Sequence, residues 1–452
     1  MLNIFFIGVA GAGMSAIAQY LAEQGKNISG SDRYFTSEYN ETRESLEKAG
    51  IKCFPQDGSG ISENLDAVIV STAIEDSVPE VQKAKLLNIP IYKRSELLAK
   101  IVEGRKTIAI SGTSGKSTTA GMLFTILEYA GINPGIITGA GLTQLIKKGK
   151  IGNAVFGYPD SWLIIEADES DGSIVQYKPS IGVILNIDKD HKEIDELMEL
   201  FKTFKNNVKD FLIVNRSSLN SAKLSAKAEN DFDSEGNYDA GFIGKNFNQK
   251  GFQSSFYVGD ILFSLNSVGK HNMENALAAI AVAGKIGVTL QQCANALKLY
   301  EGIYRRNQFL GEKNGVKVID DYAHNPVKCA RAIEACTHIS PKVIAWFQPH
   351  GYGPTKFLKD DFIEEISSVL RPEDEIWMSE IYYAGGTADK SISASELIDG
   401  IKKTGKNAFF VSDRNNLLEN IRPHFTSNCV LLLMGARDPS LEHFSKNLFE
   451  NI

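Results

Sequence analysis

Three domains of α/β architecture are what this sequence predicts, on three observations. Three starts of strand, glycine and helix divide the chain, near residue 4, residue 107 and Gly311. Short Ile/Val/Leu runs ending in polar residues recur between helical patterns, as in parallel sheets covered on both faces. At 452 residues the chain also exceeds what one ordinary core accommodates.

The first start is I-F-F-I at 4 to 7, then G-V-A-G-A-G at 8 to 13 and a helix from 14 to about 23. N-I-S-G-S-D at 27 to 32 reads as the next strand, closing a βαβ opening, and 67 to 71 and 89 to 92 read as two more. The second unit opens on T-I-A-I at 107 to 110, with a helix over about 118 to 129 and buried strands at 162 to 166 and 181 to 186. Residues 226 to 262 read as turns and antiparallel hairpins, and 272 to about 287 as a strong helix. Strands at 316 to 321, 342 to 347 and 430 to 434 define the third unit. The expected domains are therefore 1–104, 105–309 and 310–452.

Hydrophobic residues at 43% and charged residues at 23% exclude long disorder. A net charge of −7 argues against nucleic acid or an anionic membrane as the main partner, leaving small-molecule substrates. Five scattered cysteines with no C-x-x-C spacing indicate neither a disulfide framework nor a zinc site. No apolar run approaches membrane-spanning length and the N-terminus lacks a basic leader, so a cytoplasmic protein, monomeric or weakly dimeric, is expected.

The chemistry concentrates at strand ends. Gly112-Thr113-Ser114-Gly115-Lys116-Ser117-Thr118 follows an apolar strand and precedes a helix. Glycines let backbone N–H groups converge on phosphate oxygens, Lys116 adds a point charge, and the Ser117 hydroxyl suits Mg²⁺. An ordinary strand-to-helix turn is the alternative. Glu166-Ala167-Asp168-Glu169-Ser170-Asp171 and Asn186-Ile187-Asp188-Lys189-Asp190-His191 close two neighbouring strands, either as solvated acidic loops or as supports for a hard cation beside phosphate. Gly8, Gly11 and Gly13, with Asp32 downstream, suit a pyrophosphate; a nicotinamide enzyme is one such reading, but Ala10 replaces the middle glycine. His271-Asn272-Met273-Glu274-Asn275, Arg305-Arg306 and Asp320-Asp321-Tyr322-Ala323-His324-Asn325-Pro326 are further polar clusters, each alone compatible with a cap, a surface pair or a turn.

In order and in number these stretches resemble the Mur ligases, and most closely their alanine-adding members. The likeness runs from G-V-A-G-A-G-M-S-A-I-A at 8 to 18, through S-T-A-I at 71 to 74, G-T-S-G-K-S-T-T at 112 to 119, E-A-D-E-S-D, N-I-D-K-D-H and H-N-M-E-N-A-L-A-A, to D-D-Y-A-H-N-P and F-Q-P-H at 347 to 350. The family's phosphate loop is itself short, which accounts for Ile110 where a longer loop carries glycine.

The resemblance implies a Rossmann-like N-terminal domain for a UDP sugar, a central P-loop ATPase-type domain with a mixed sheet, and a Rossmann-like C-terminal domain for the amino substrate. ATP would phosphorylate the lactyl carboxylate of UDP-N-acetylmuramate, and an amine would displace phosphate from the acyl phosphate. Lys116, Glu166, His191 and Arg306 are the implied catalytic residues, with Ser117, Glu166 and His191 on Mg²⁺. Asn272 and Asn275 are implied for adenine, Arg306 for a phosphate and Asp321 for the ATP ribose. Gly8, Gly11, Gly13, Met14, Ser15, Asp32, Ser71, Thr72 and Ala73 are implied for the UDP sugar. Contacts from different domains imply closure about a hinge near 104 or 309.

Departures fall at the amino-substrate end. The family's F-Q-P-H-R-Y-[ST]-R-T becomes His350-Gly351-Tyr352-Gly353-Pro354-Thr355-Lys356, without either arginine. Glycine and proline cannot replace a guanidinium fork. The second histidine of D-D-Y-G-H-H-P is Asn325, and G-A-G-D is Gly435-Ala436-Arg437-Asp438. Tyr322, His324, His350, Lys356 and Arg437 are therefore expected around the amino substrate, which is L-alanine or, as for murein peptide ligases, a peptide. A P-loop switch is the remaining alternative, but the chain has no N-K-x-D element for guanine.

Overall fold

The computed structural model describes residues 1–36, 40–72, 74–189, 192–383, 390–438 and 440–452. They form two compact units: Met1–Phe247 with Ser255–Ser264 and His271–Ile303, and Tyr304–Ile452 with Asn248–Ser254 and Leu265–Lys270.

The first unit holds two parallel sheets. One has the strand order Lys52–Pro55, Asn27–Asp32, Asn3–Ile7, Ala67–Val70, Ile91–Lys93. The other runs Phe211–Val214, Ile181–Ile184, Thr107–Ser111, Leu163–Ala167, Gly135–Ile137, Ala154–Val155, with only the last pair antiparallel. Every residue of Thr107–Ser111 is buried. This agrees with the continuous apolar run read from the sequence.

Helix Ala12–Glu23 belongs to both sheets. It starts after the glycine turn, and its small residues let it pack against Gly135–Ile137 and Ala154–Val155. Ile17, Ala18 and Leu21 share one core with Ile137, Ala154 and Ile165. Each buried Ile or Leu in such a core contributes roughly 1.5–3 kcal/mol. Polar groups complete the join: Gln19 Nε2 donates to Asn153 Oδ1 (2.7 Å), and Arg105 Nη1 donates to the Tyr20 hydroxyl (2.7 Å) and the Phe156 carbonyl (2.9 Å). Residues on either side of 104 thus share a single core.

Residues 226 to 262 carry strands of a small sheet ordered Phe232–Asp233, Phe242–Lys250, Gln253–Val258, Ile261–Leu265. The expectation of antiparallel hairpins is corrected at its first pair, which is parallel. The hydrogen bond from Arg216 N to Phe232 O shows why: this short strand continues from the neighbouring sheet and is not a turn partner.

The second unit is one sheet ordered Gln308–Lys313, Val316–Asp321, Cys429–Gly435, Lys342–Gln348, Glu375–Met378, Asn407–Phe410, parallel except for its first strand. Alternate residues feed two cores. Val343, Ala345 and Phe347 face helices on one side, and Ile344 and Trp346 face those on the other. The 309/310 position falls inside strand Gln308–Lys313, and the long segment of the second unit begins at Tyr304. This edge strand is half exposed and mixes charged with apolar residues, so it carries no continuous apolar signal. All five cysteines are buried and free.

Candidate nucleotide and amino-substrate sites

The stretch after Thr107–Ser111 is built as a phosphate loop. Gly115 caps helix Lys116–Tyr129 at φ +87°, and a Cβ there would lie 2.3 Å from Asn275 Oδ1. Only glycine satisfies both the left-handed turn and that approach. Asn186, from the end of the adjacent strand, stitches the loop. Its Oδ1 accepts from Thr113 Oγ1 (2.9 Å) and Ser114 N (2.8 Å), and its Nδ2 donates to Ser114 O (3.1 Å).

Lys116 Nζ donates to Gly112 O at 2.6 Å and to Glu169 Oε2 at 2.7 Å, with Asp168 Oδ1 at 3.7 Å. Burial alone would lower the Lys116 pKa; the Glu169 and Asp168 carboxylates outweigh it and hold it above its ordinary value. Burial raises the Glu169 carboxyl against the pull of Lys116. The ammonium is therefore charged and fixed toward the loop backbone.

Glu166 Oε1 accepts from Thr138 Oγ1 and from Gly139 N (2.8 Å), which fixes the carboxylate on its strand end. Asn275 Oδ1 accepts from Thr119 Oγ1 (3.3 Å), and Asn275 Nδ2 donates to Asn272 Oδ1 (3.3 Å). Helix Lys270–Ile286 thereby presents both asparagines to the loop. Ser117 and Thr118 lie in the first turn of the loop's helix. His191 lies outside the described residues, as does Ala73.

At the N-terminal turn, Gly8 adopts φ +79° and its N–H donates to Ser31 O at 2.8 Å. Asp32 is buried and accepts from Ala10 N and Tyr34 N, both at 3.1 Å. Its carboxylate thus shapes the turn. Met14 is buried in the core, and Ser15 Oγ accepts from Asn153 Nδ2 at 3.0 Å. Gly11 N-caps the helix without a side-chain bond, and Gly13 lies in its first turn. Ser71 and Thr72 follow strand Ala67–Val70, with Ser71 O accepting from Ile74 N at 3.2 Å.

In the second unit, Asp321 ends its strand and accepts from Asn307 N (2.6 Å) and Ala323 N (2.7 Å). Burial raises its pKa against the Arg306 charge. Arg305 is committed to Asp320 (2.9 Å) and Gly435 O (3.1 Å), whereas Arg306 lies 5.1 Å from the Tyr322 ring centroid. Tyr322, His324 and His350 form a chain of rings with successive centroids 5.7 Å apart. Burial, then the Lys328 charge, pushes His324 down to about 3, while its Nδ1 bonds the Tyr322 carbonyl at 2.9 Å. Arg437 is exposed at φ +64°, and its N–H donates to the Tyr322 hydroxyl at 3.4 Å.

Four of the five expected amino-substrate residues therefore gather at one sheet end. Lys356 lies on the exposed side of helix Tyr352–Phe357, donating to Ser391 Oγ at 2.8 Å. Asn325 explains its own departure: it N-caps helix Pro326–Thr337, its Oδ1 accepting from Lys328 N at 2.9 Å. Sequence reasoning missed Arg414, whose Nη1 donates to Gln348 Oε1 (2.8 Å) and pairs with Asp438, anchoring the turn that carries Arg437. Its partners are distant in sequence, so no local pattern marked it.

Comparison with known proteins identifies the family and the fold. Models described as "Mur ligase family, catalytic domain", "Mur ligase middle domain" and "Mur ligase, glutamate ligase domain" match residues 3–106, 110–283 and 305–437. The chain is 33% identical to the UDP-N-acetylmuramate–L-alanine ligase of Geobacter sp. strain M21, over 96% of this chain and 94% of that protein. It is 34% identical to the ligase of the same name from Clostridium kluyveri, over 96% of each. Its fold matches the UDP-N-acetylmuramate–alanine ligase of Thermotoga maritima at TM-score 0.81 and 24% identity, covering 100% and 99% of the two chains. A murein peptide ligase of Psychrobacter arcticus matches at 0.70 and 20%, covering 100% and 98%. No helix among the described residues is long and apolar enough to cross a membrane. With its phosphate loop, its parallel sheets and its relatives all in register, the chain belongs to the Mur ligase family of ATP-dependent, amide-forming ligases.

Proposed function

We propose that this ligase joins the lactyl carboxylate of UDP-N-acetylmuramate to the amine of L-alanine in peptidoglycan precursor synthesis. The observation that carries the reading is the complete phosphate loop, stitched by Asn186 and charged by Lys116, in a chain whose relatives of that name align over nearly its full length.

In this reading a lactyl carboxylate oxygen attacks the γ-phosphorus of ATP, the bond to ADP breaks, and an acyl phosphate forms. The amine then attacks the acyl carbon; the C–O bond to phosphate breaks, and the amine gives up a proton. The loop N–H groups and Lys116 neutralise charge spreading over the γ-phosphoryl oxygens, where electrostatic positioning supplies most of the acceleration. Ser117 and Glu166 suit Mg²⁺, a hydroxyl and a carboxylate oxygen being what that cation takes from protein while keeping waters. When bound, Mg²⁺ adds positive charge beside the phosphates.

Gly8, Gly11, Gly13 and Ser15 line the turn assigned to the UDP diphosphate, with Asp32 and Met14 holding its shape. Tyr322, His324, His350 and Arg437 are assigned to the amino substrate, Arg437 taking its carboxylate. Solution as a cytoplasmic monomer or weak dimer belongs to the same proposal.

Testing uses a panel of amino acids and short peptides with UDP-N-acetylmuramate and MgATP, reading phosphate release and product mass. L-alanine is expected to give the largest kcat/KM. The arginine-free segment Gly351–Lys356 favours a second reading, a peptide as the amine, which a preference for the peptides would select. Sugar-independent hydrolysis of ATP, with no product from any amine, overturns both readings.

A further inference from the structure

Arg94 opens helix Arg94–Glu103 and touches two parts of the first unit that the proposed reaction uses separately. Its guanidinium lies on Gly13, where a Cβ would come within 3.2 Å of Nη1. Its Nη2 pairs with Asp171 Oδ2 at 3.2 Å, both side chains about three-quarters buried. Asp171 closes the acidic stretch whose Glu169 grips Lys116 and whose Glu166 is fixed by Thr138 and Gly139.

That stretch is a braced unit. Asp171 Oδ1 accepts from Ser173 N (2.9 Å), Tyr177 donates its hydroxyl hydrogen to Ser173 Oγ (3.1 Å), and Asp168 Oδ1 accepts from Ser170 N (3.2 Å). The Ser173 bond would close the turn by itself. The ion pair adds something the turn does not need, a fixed distance between the glycine turn and the loop holding Lys116. The shared core of the two sheets leaves this link little slack.

We propose that Arg94 is a positioning residue that couples the two ligand sites. An anionic ligand on the glycine turn fixes Gly13 and Arg94; Arg94 then holds Asp171 and, through it, the carboxylates around Lys116. Whichever ligand binds first sets the position of the shared element, and the second binds to an element already in place. Linkage requires the effect to be reciprocal, each ligand tightening the other by one factor. The inference rests on the proposed placement of UDP-N-acetylmuramate at the glycine turn.

The test is calorimetric titration of the full chain with a non-hydrolysable ATP analogue and Mg²⁺, with and without UDP-N-acetylmuramate, and the reverse titration. In the unaltered chain each ligand is expected to tighten the other about fivefold or more, by equal factors. Asp171→Asn should bring that factor below about twofold while the analogue's own Kd stays within about threefold, a separation that loss of structure would not give. Arg94→Lys, which keeps the charge and loses the fork, should also lower the factor and serves if Asp171→Asn folds poorly. Independent binding in the unaltered chain, or an undiminished factor in Asp171→Asn, overturns the inference. Failure of UDP-N-acetylmuramate to bind at all overturns the functional reading, and the inference with it.

Discussion

Asn186→Ala tests how the phosphate loop is held. The side chain makes three hydrogen bonds, from Thr113 Oγ1 and Ser114 N and to Ser114 O, while the backbone bond from Thr113 N to Asn186 O (3.2 Å) survives the substitution. Each bond contributes about 0.5–1.5 kcal/mol net. Ser114 is only partly buried, so water replaces part of what is lost, and a stability decrease of about 1–2 kcal/mol is expected.

The larger effect falls on nucleotide binding. Two loop residues released from Asn186 must be fixed again when phosphate binds, at about 1 kcal/mol each or more. That corresponds to a KM for ATP raised about 30-fold or more, since 1.4 kcal/mol is tenfold. Asn186→Asp retains both accepted bonds but puts a negative charge beside the phosphates. It should therefore lose less stability than the alanine variant while still raising KM. The assay is steady-state phosphate release at saturating UDP-N-acetylmuramate and L-alanine, paired with urea unfolding. An alanine variant with KM within twofold of the parent and unchanged stability would refute the reasoning.

Three other perturbations follow from the geometry. Gly115→Ala adds about 1–2 kcal/mol of left-handed strain and must displace Asn275, so both thermal stability and ATP affinity should fall; retained ATP affinity would contradict the assigned loop geometry. Because His324 is held down to about 3, the unfolded chain binds more protons between pH 3 and 6.5, and stability should decline as pH falls through that window. At pH 5 this amounts to about 2 kcal/mol at most, and His324→Gln should flatten the decline in urea unfolding. Arg437→Gly relieves about 1 kcal/mol or more of backbone strain at φ +64° and should leave stability equal or higher while raising the amino-substrate KM; an unchanged KM would remove Arg437 from that role.

Most strands of the sheets were legible in the sequence because buried parallel strands are continuous apolar runs. Val316–Asp321 has the limits read from its residues alone, and Asn27–Asp32, which is not an apolar run, was placed by the βαβ opening that it closes. The phosphate loop was legible for a similar reason: glycine, lysine and hydroxyl must be consecutive for backbone N–H groups to converge at a helix start. Edge strands such as Gln308–Lys313 were not, since a half-exposed strand of mixed polarity carries no distinctive period.

What the sequence determined by itself was therefore everything local: the fold class, the N-terminal glycine turn, the nucleotide loop and the family. Tertiary structure decided which distant side chains meet. It placed Asn186 on the loop, Glu169 on Lys116, Asn325 in a helix cap, Arg414 on Asp438 and Lys356 on Ser391, and it gathered Tyr322, His324, His350 and Arg437. It also merged the segments on either side of residue 104 into one core through helix Ala12–Glu23. Hydrophobic periodicity specifies an element and its buried face, but not which other element covers that face. That choice belongs to packing, and the positions of the charged groups follow from it.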